Sequence, residues 1–303
     1  KDFPPIRVFG TVGFIVAELL VNFVAIDGIT LQKSYTQFFA TGTFGIIMAL
    51  YALTMPKCPV NKSANGGIVD ALGLRAFALF KTRRMAIFFI FSMLLGVSLQ
   101  ITNSYGTTFI ESFSKVGEYS QGLLNGWFAH NPTFLISISQ CSEALCILMI
   151  AFCLKRFGIK GVMLIAMFAW VLRFGFFGIG DTNFPGVIFL VLSCIVYGVA
   201  FDIFNVSGGI YVDQQTDPKL RSSAQGLFMI MTNGIGASLG TFIAGEFVVN
   251  KYVMTQEVGT QAMIDGWHHS WFIFAAYALA VFIMFYFCFK APKKVETKAV
   301  KDI

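Results

Sequence analysis

Polar residues that can bind a ligand or exchange a proton stand in the middle of long apolar stretches of this sequence. The clearest case is the segment from Tyr197 to Asn205, which lies inside the apolar run 187–212. That run is long enough to cross a bilayer as a helix. A carboxylate at the depth of Asp202 costs about 2.5–3.5 kcal/mol to insert, so it must face a protein interior or a watery cavity. The segment therefore indicates either a polar site inside a membrane or an aspartate paired with a structural arginine.

Three further apolar segments carry polar residues at helical spacing. Residues three, four or seven positions apart share one face of a helix. Each set taken alone is also explained by hydrogen bonds between helices, which contribute about 0.6–2 kcal/mol. Because the pattern recurs, with three sets near the same depth, we expect the sets to line one shared cavity. The sets are Arg7, Thr11 and Phe14; Gln100 and Asn103; Gln140 and Glu143; and Tyr197, Phe201, Asp202 and Asn205.

The side chains in these sets suit a neutral, ring-bearing polyol. Carboxamides offer donors and acceptors for the edges of a heterocyclic base, and aromatic rings offer flat faces for stacking. Carboxylates accept hydrogen bonds from sugar hydroxyls and can also titrate. The sets contain no cluster of fixed positive charge that would hold a phosphate. Glu18 either joins this cavity or pairs locally, and we interpret Arg173 as a structural partner near the outer end of its span.

The composition predicts an all-α polytopic membrane protein. Of the 303 residues, 56% are hydrophobic and only 13% are charged, against about 25% charged in soluble domains. Repeated apolar runs predict helices, because a helix satisfies its backbone hydrogen bonds internally. We predict eight spans, at 5–26, 37–55, 85–111, 132–154, 161–180, 187–212, 222–249 and 270–290.

The basic residues predict an orientation and a division of the chain. The insert 56–84 holds six basic residues and one acid, so the positive-inside rule places it in the cytoplasm. Alternation then places both chain ends there too, with all but four of the 22 basic residues on that side. The net charge of +6 thus reflects orientation and a lipid bilayer, and we expect no nucleic-acid partner. The predicted units are a partial N-terminal helix bundle at 1–55, a basic cytoplasmic linker at 56–84, a six-span bundle at 85–290 and a cytoplasmic tail at 291–303.

The insert also predicts a larger symmetry. Six spans behind a basic linker are typical of transporters built from two six-span halves, so we expect four more spans ahead of Lys1. We expect the stretch Gly66–Lys81 of the linker to lie on the membrane surface as a helix. The six cysteines form no CxxC pair, and His130, His268 and His269 fall in predicted polar connections. We therefore predict no metal site and no cofactor.

Longer motifs resemble the bacterial nucleoside:proton symporter family. That family belongs to the major facilitator superfamily, whose members have twelve helices in two halves, and the likeness runs from the fifth helix onward across essentially the whole chain. The resemblance implies uptake of nucleosides across the bacterial inner membrane by alternating access, driven by the proton gradient. The motifs are Asp2–Arg7, Phe77–Lys81, Met85–Gly96, Leu99–Asn103, Ser137–Gln140, Tyr197–Asp202, Ser223–Gly226 and Met231–Gly234.

The resemblance also implies a substrate site on residues that helical spacing had selected. For the proton we expect Glu143 and Asp202, because a coupling residue needs a buried carboxyl that titrates near neutral pH. Arg7, from the other half, would pair with Asp202 in one state only. Glu18 departs from the family's pattern, so it could alter substrate preference or coupling. The implied substrate site is Arg7, Thr11, Phe14, Gln100, Asn103, Gln140, Glu143, Tyr197 and Phe201.

Two other classes of function stay open at this stage. A symporter for another neutral polyol, such as an oligosaccharide, would rely more on tryptophan and carboxylates. The four tryptophans avoid the predicted span centres, whereas the carboxamides occupy them. A polytopic membrane enzyme, such as a lipid-group transferase, would need an acidic metal cluster or a nucleophile–base pair at a membrane face. We favour the nucleoside symporter, and we assign no catalytic residue.

Overall fold

The computed structural model describes residues 3–26, 28–56, 74–120, 123–218 and 220–290, and these residues are almost entirely helical. Short 3-10 turns cover Leu31–Lys33, Leu74–Lys81 and Phe113–Lys115, and a two-residue hairpin pairs Ala25–Ile26 (β1) with Ile29–Thr30 (β2). The helices are α1 (Phe3–Phe23), α2 (Thr36–Ala52), α3 (Arg83–Ser112), α4 (Gly117–Ser120), α5 (Leu123–His130), α6 (Pro132–Ile179), α7 (Gly186–Gln215), α8 (Arg221–Tyr252) and α9 (Gln261–Cys288).

The predicted all-α polytopic architecture is confirmed. Within the described ranges, five helices are long and apolar enough to cross a membrane: α3, α6, α7, α8 and α9. Helix α6 holds two of the predicted spans, joined at Gly158, whose φ of +66° lies in the left-handed region that favours glycine. The shorter apolar helices α1 and α2 match the first two predicted spans.

The first span ends at Phe23, three residues before its predicted end, and Gly28 (φ +77°) then allows the chain to turn back as a hairpin. The predicted start of the last span is wrong. Helix α9 begins at Gln261 and not at 270, because the Thr260 hydroxyl caps it by accepting from the Met263 amide. His268 and His269 therefore lie inside a helix. Of the predicted surface helix, residues 66–73 lie outside the described part of the chain, and Leu74–Lys81 forms a 3-10 helix.

Glycines let the bundle helices that carry the site pack closely. A Cβ added at Gly198 of α7 would meet the backbone of Ser142 and Glu143 in α6 at 2.5–2.6 Å. The Ser142 hydroxyl donates to the Ile195 carbonyl across the same contact. Helix α7 is therefore held against α6 backbone to backbone, which fixes Tyr197 beside Glu143.

Helix α1 packs against α6, and a hydrogen bond and a ring contact join the two helices near the C-terminal end of α1. There the Asn22 amide donates to the Asn131 side-chain oxygen at 3.1 Å. One turn further along α6, the rings of Phe23 and Phe134 meet edge to face at 6.3 Å. Helix α2 has no buried residue, so the cavity wall that this region supplies comes from α1.

Candidate functional site

A cavity of about 580 Å³ lies between α1, α3, α6 and α7. Sites for small molecules typically measure about 300–1,000 Å³ and combine apolar walls with a few polar groups. This cavity has that character. Its walls are formed by Gly10, Thr11, Phe14, Glu18, Thr102, Asn103, Thr107, Ile136, Ser139, Gln140, Glu143, Arg173, Tyr197 and Phe201.

Seven of the nine residues that the sequence selects for substrate binding meet at this cavity. They come from four helices, and on α1, α6 and α7 their spacing of three or four residues keeps them on one face. Their contact with a substrate stays a prediction, but their convergence on one space follows directly from the fold. They are Thr11, Phe14, Asn103, Gln140, Glu143, Tyr197 and Phe201.

Gln100 is not among the lining residues. Its side-chain amide donates to the Ser104 hydroxyl at 3.0 Å, one turn along the same helix. Its Cβ lies on the side of α3 that faces Gly240 of α8. Asn103, three residues later, is turned far enough to reach the cavity. The expectation that both carboxamides of α3 face one space is therefore wrong for this conformation. The side chain of Arg7 lies outside the described part of the structure.

Asp202 is fully buried and does not line the cavity. Tyr197 and Phe201 both face the cavity, and the next residue is rotated by about 100° around the helix. That rotation turns Asp202 away from the cavity and into the interior of the bundle. The expectation that Asp202 flanks the cavity is therefore wrong for this conformation, although its coupling role remains a prediction.

Arg173 lines the cavity and also ties three helices together. It is 1% exposed. Its guanidinium donates to the Ser193 carbonyl of α7 at 2.8 Å and to the Thr102 hydroxyl of α3 at 3.2 Å. A longer bond of 3.5 Å reaches the Ser139 hydroxyl of α6. Sequence reasoning predicted only the structural part of this role.

The same guanidinium supports an aromatic platform. It lies over the ring of Tyr197 at 4.4 Å from the centroid, within the range of a cation–π contact. Tyr197 in turn stacks on Phe201, with centroids 5.5 Å apart and planes 16° from parallel. Trp170 meets Tyr197 edge-on at 6.0 Å. A flat aromatic surface is thus fixed in the cavity wall, and a ring-bearing ligand can stack on such a surface.

Other lining residues were missed or left undecided by sequence reasoning. Two positions were open for Glu18, the cavity wall or a local pair, and the structure places it in the cavity wall. Thr107 lies four residues after Asn103, so helical spacing alone would have found it. Ser139 lies in the motif Ser137–Gln140, next to Gln140. Within the described residues, no group of three or more His, Cys, Asp or Glu side chains is arranged to hold a metal ion.

Comparisons with known proteins identify the family of this chain. The sequence profile of the family described as "Nucleoside H+ symporter" matches residues 1–294. The xanthosine permease of Escherichia coli K12 is 46% identical over 302 residues, covering 98% of this chain and 68% of the permease. The nucleoside permease NupG of the same organism is 46% identical over 290 residues, covering 95% of this chain and 65% of the permease.

Solved structures support the same assignment. A crystal structure of a mutant of the nucleoside transporter NupG matches with a TM-score of 0.81 at 44% identity, covering 96% of this chain and 68% of that chain. This chain thus spans about two thirds of the length of the relatives that it matches. The transporter class and the proton-coupled nucleoside function that the sequence predicts are confirmed at the level of the family. The chain belongs to the nucleoside H+ symporter family, whose members are secondary transporters and not enzymes.

Proposed function

We propose that this chain takes up nucleosides together with protons across the bacterial inner membrane by alternating access, and that the cavity is its nucleoside site. The observation that carries this proposal is the convergence of seven selected residues from four helices on one space of about 580 Å³. Family membership supports the substrate class. The cavity's mixture of aromatic rings, carboxamides and carboxyls supports it independently.

The base stacks on the platform of Tyr197 and Phe201, with Phe14 of α1 facing it from the opposite wall. The carboxamides of Asn103 and Gln140 bond to the edge of the base, since each offers both donors and acceptors. Glu143 accepts a hydrogen bond from a ribose hydroxyl. Gln100 is left out of this arrangement because its amide bonds Ser104.

The proton gradient supplies the driving force, and the carboxyls supply the coupling. Glu143 lies where substrate and proton can meet, because it lines the cavity. Asp202 lies behind the platform at the contact between α6 and α7, and we propose that it pairs with Arg7 of the other half in one state of the cycle. Alternating access rocks one half against the other around a fixed site.

The charge pattern supports an orientation with both chain ends and the basic linker 56–84 in the cytoplasm. Residues 1–55 then belong to the N-terminal half, 85–290 form the C-terminal half, and 291–303 form a cytoplasmic tail. The contacts Asn22–Asn131 and Phe23–Phe134 fall at the outer end of α1. We propose that these contacts close the outer side in this conformation, so that the cavity opens toward the cytoplasm.

An oligosaccharide substrate is less well supported. Sugar sites of that kind rely on tryptophan as a stacking surface, and none of the described residues that line the cavity is a tryptophan. Trp267 and Trp271 are buried in a separate aromatic cluster with Phe109. The cavity therefore favours a substrate that carries its own flat ring.

The test is uptake of radiolabelled uridine and adenosine into liposomes that contain the intact transporter. We expect accumulation driven by an inward proton gradient and abolished by an uncoupler, with no competition from excess disaccharide. A thermal unfolding transition shows that the preparation is folded. If such a preparation accumulates no nucleoside under an imposed proton gradient, the proposal is contradicted.

A further inference from the structure

Glu18 is an unused acid in the wall of the cavity. It lies on α1 with Thr11 and Phe14, at positions that share one helix face, and all three line the same space. One of its carboxyl oxygens is buried and has no hydrogen-bond partner among the described residues. A buried acceptor without a donor is costly, by about 1–3 kcal/mol. Glu18 therefore needs a proton, a water molecule or a ligand.

The groups that face Glu18 come from two neighbouring helices. From α6, Glu143 lines the same cavity, and from α7 Tyr197 does so. Cys194, three residues before Tyr197 on α7, is fully buried. Arg173, a cation that lines the same cavity, bonds Thr102, Ser139 and Ser193 and lies against the ring of Tyr197. No ion pair joins Glu18 to a cation in the described ranges.

Two carboxyls therefore line one cavity. Two ionised carboxyls that share a site repel each other, and a closely spaced pair is more stable when it holds one proton. Glu18 belongs to α1 and Glu143 to α6, which lie in the two proposed halves. Their separation therefore changes when the halves move, and the repulsion between them changes as well.

We propose that Glu18 is a second proton-binding residue, which forms with Glu143 an acidic pair that takes up the proton transported with the nucleoside. The pair binds one proton when the cavity holds the two acids close together. It releases that proton as water enters from the cytoplasm. No other bond forms or breaks. This inference rests on the proposed function and adds a residue to its coupling machinery.

The experiment compares Glu18→Gln with a matched control, Glu246→Gln, in the intact transporter. Glu246 is an exposed acid of α8 that does not line the cavity. Two measurements are made in liposomes: accumulation of uridine under an inward proton gradient, and exchange of uridine without a gradient. Both are repeated between about pH 5.5 and about pH 8, a range that brackets neutral pH.

We expect Glu18→Gln to lower gradient-driven accumulation by about tenfold and to flatten the pH dependence of uptake, because the amide cannot bind the proton. Exchange without a gradient should stay within about threefold of wild type, since the amide preserves the shape of the side chain. Glu246→Gln should match wild type in both measurements. Accumulation and a pH profile like those of wild type in Glu18→Gln would overturn the inference.

A second variant covers the case in which Glu18→Gln does not fold. Glu18→Asp keeps a titratable carboxyl, so we expect it to retain proton-driven accumulation and the pH dependence. A Glu18→Asp protein that exchanges uridine but cannot accumulate it would count against the inference. If wild type itself accumulates no nucleoside, the proposed function fails. If wild type and Glu18→Gln accumulate it equally, only the role of Glu18 fails.

Discussion

The two walls of the cavity are built in different ways. The bundle wall, from α3, α6 and α7, is buried and cross-linked: Arg173 is 1% exposed and bonds groups on all three helices. The α1 wall carries Phe14 with 53% of its surface exposed and Glu18 with an unbonded oxygen. One wall is thus preformed, and the other can adjust. This difference is what alternating access requires of two halves that move around one substrate.

The difference has a local cause in each wall. In the bundle, Gly198 lets α7 approach the backbone of α6, so the platform of Tyr197 and Phe201 has little freedom. Helix α1 is tied to α6 by Asn22 and Phe23, which lie beyond the cavity. We therefore expect the segment of α1 that lines the cavity to move relative to the bundle during the transport cycle.

The largest expected effect comes from Arg173→Met, which breaks the bundle wall. Methionine fills similar space but leaves the Ser193 carbonyl and the Thr102 hydroxyl without their donor. Each lost bond to a charged group costs about 1.5–3 kcal/mol. We expect the free energy of unfolding to fall by about 3 kcal/mol or more, with loss of nucleoside binding. Thermal unfolding in detergent measures the first effect, and isothermal titration with uridine the second.

The matched control is Arg156→Met, which removes an exposed arginine two residues before Gly158, where the two spans of α6 join. An exposed substitution of this kind changes stability by about 0.5 kcal/mol or less. If both variants unfold at the same temperature as wild type, the guanidinium does not hold the bundle wall together.

The next largest effects are expected from the carboxyl variants Glu143→Gln and Asp202→Asn. They distinguish a carboxyl that lines the cavity from one that is buried inside the bundle wall. Glu143 lines the cavity, so its amide variant should lose both affinity and proton-driven accumulation. Asp202 is fully buried behind the platform, so its variant should bind nucleoside and exchange it, yet fail to accumulate it. Counterflow and gradient-driven uptake in liposomes distinguish the two results. If both variants still concentrate nucleoside, neither residue carries the coupling proton.

Much of this arrangement could be predicted from the sequence, because hydropathy marks the spans and helical spacing marks the faces. Thr11 with Phe14, and Tyr197 with Phe201, were placed correctly for that reason. Spacing does not fix which of two adjacent residues points inward, since each step rotates by about 100°. Asp202 was misplaced in this way. Gln100 was misplaced because an amide can bond within its own helix, here to Ser104.

Other features depend on contacts between distant parts of the chain, which a sequence pattern does not contain. Arg173 reaches the cavity because three helices supply its partners, at positions 102, 139 and 193. The early start of α9 depends on a single hydroxyl, that of Thr260. The packing of His268 against Phe109 follows from that start.

A smaller effect is expected from Gln140→Ala, which removes one hydrogen-bonding group and leaves the bundle wall intact. Loss of a buried hydrogen-bond partner costs about 1–3 kcal/mol, so nucleoside affinity should fall by roughly ten- to a hundredfold. Gln100→Ala is the matched control, because it removes the same group from a residue that does not line the cavity. That variant should bind within about twofold of wild type, a change below about 0.5 kcal/mol. Titration calorimetry gives both values.

The result of this pair is informative in either direction. Unchanged affinity in Gln140→Ala would contradict the assignment of the carboxamide to the base. A large loss in Gln100→Ala, with Gln140→Ala intact, would mean that α3 rotates during the transport cycle and brings Gln100 to the substrate.

The smallest effect is expected from a variant that changes only the α1 wall. Phe23→Leu weakens the edge-to-face contact with Phe134, which joins α1 to α6 at the proposed outer end. Such aromatic pairs contribute about 0.5–1.5 kcal/mol beyond their burial, so the balance between outward- and inward-open states should shift two- to tenfold. Spin labels at the outer ends of α1 and α6 measure that balance as a distance distribution.

Phe9→Leu, at an exposed position of the same helix, should leave the distribution unchanged. Because neither phenylalanine lines the cavity, the intrinsic contacts with nucleoside stay the same, and any change in uptake rate reflects the motion of α1. An identical distribution in Phe23→Leu and wild type would show that α1 is held by contacts other than this ring pair.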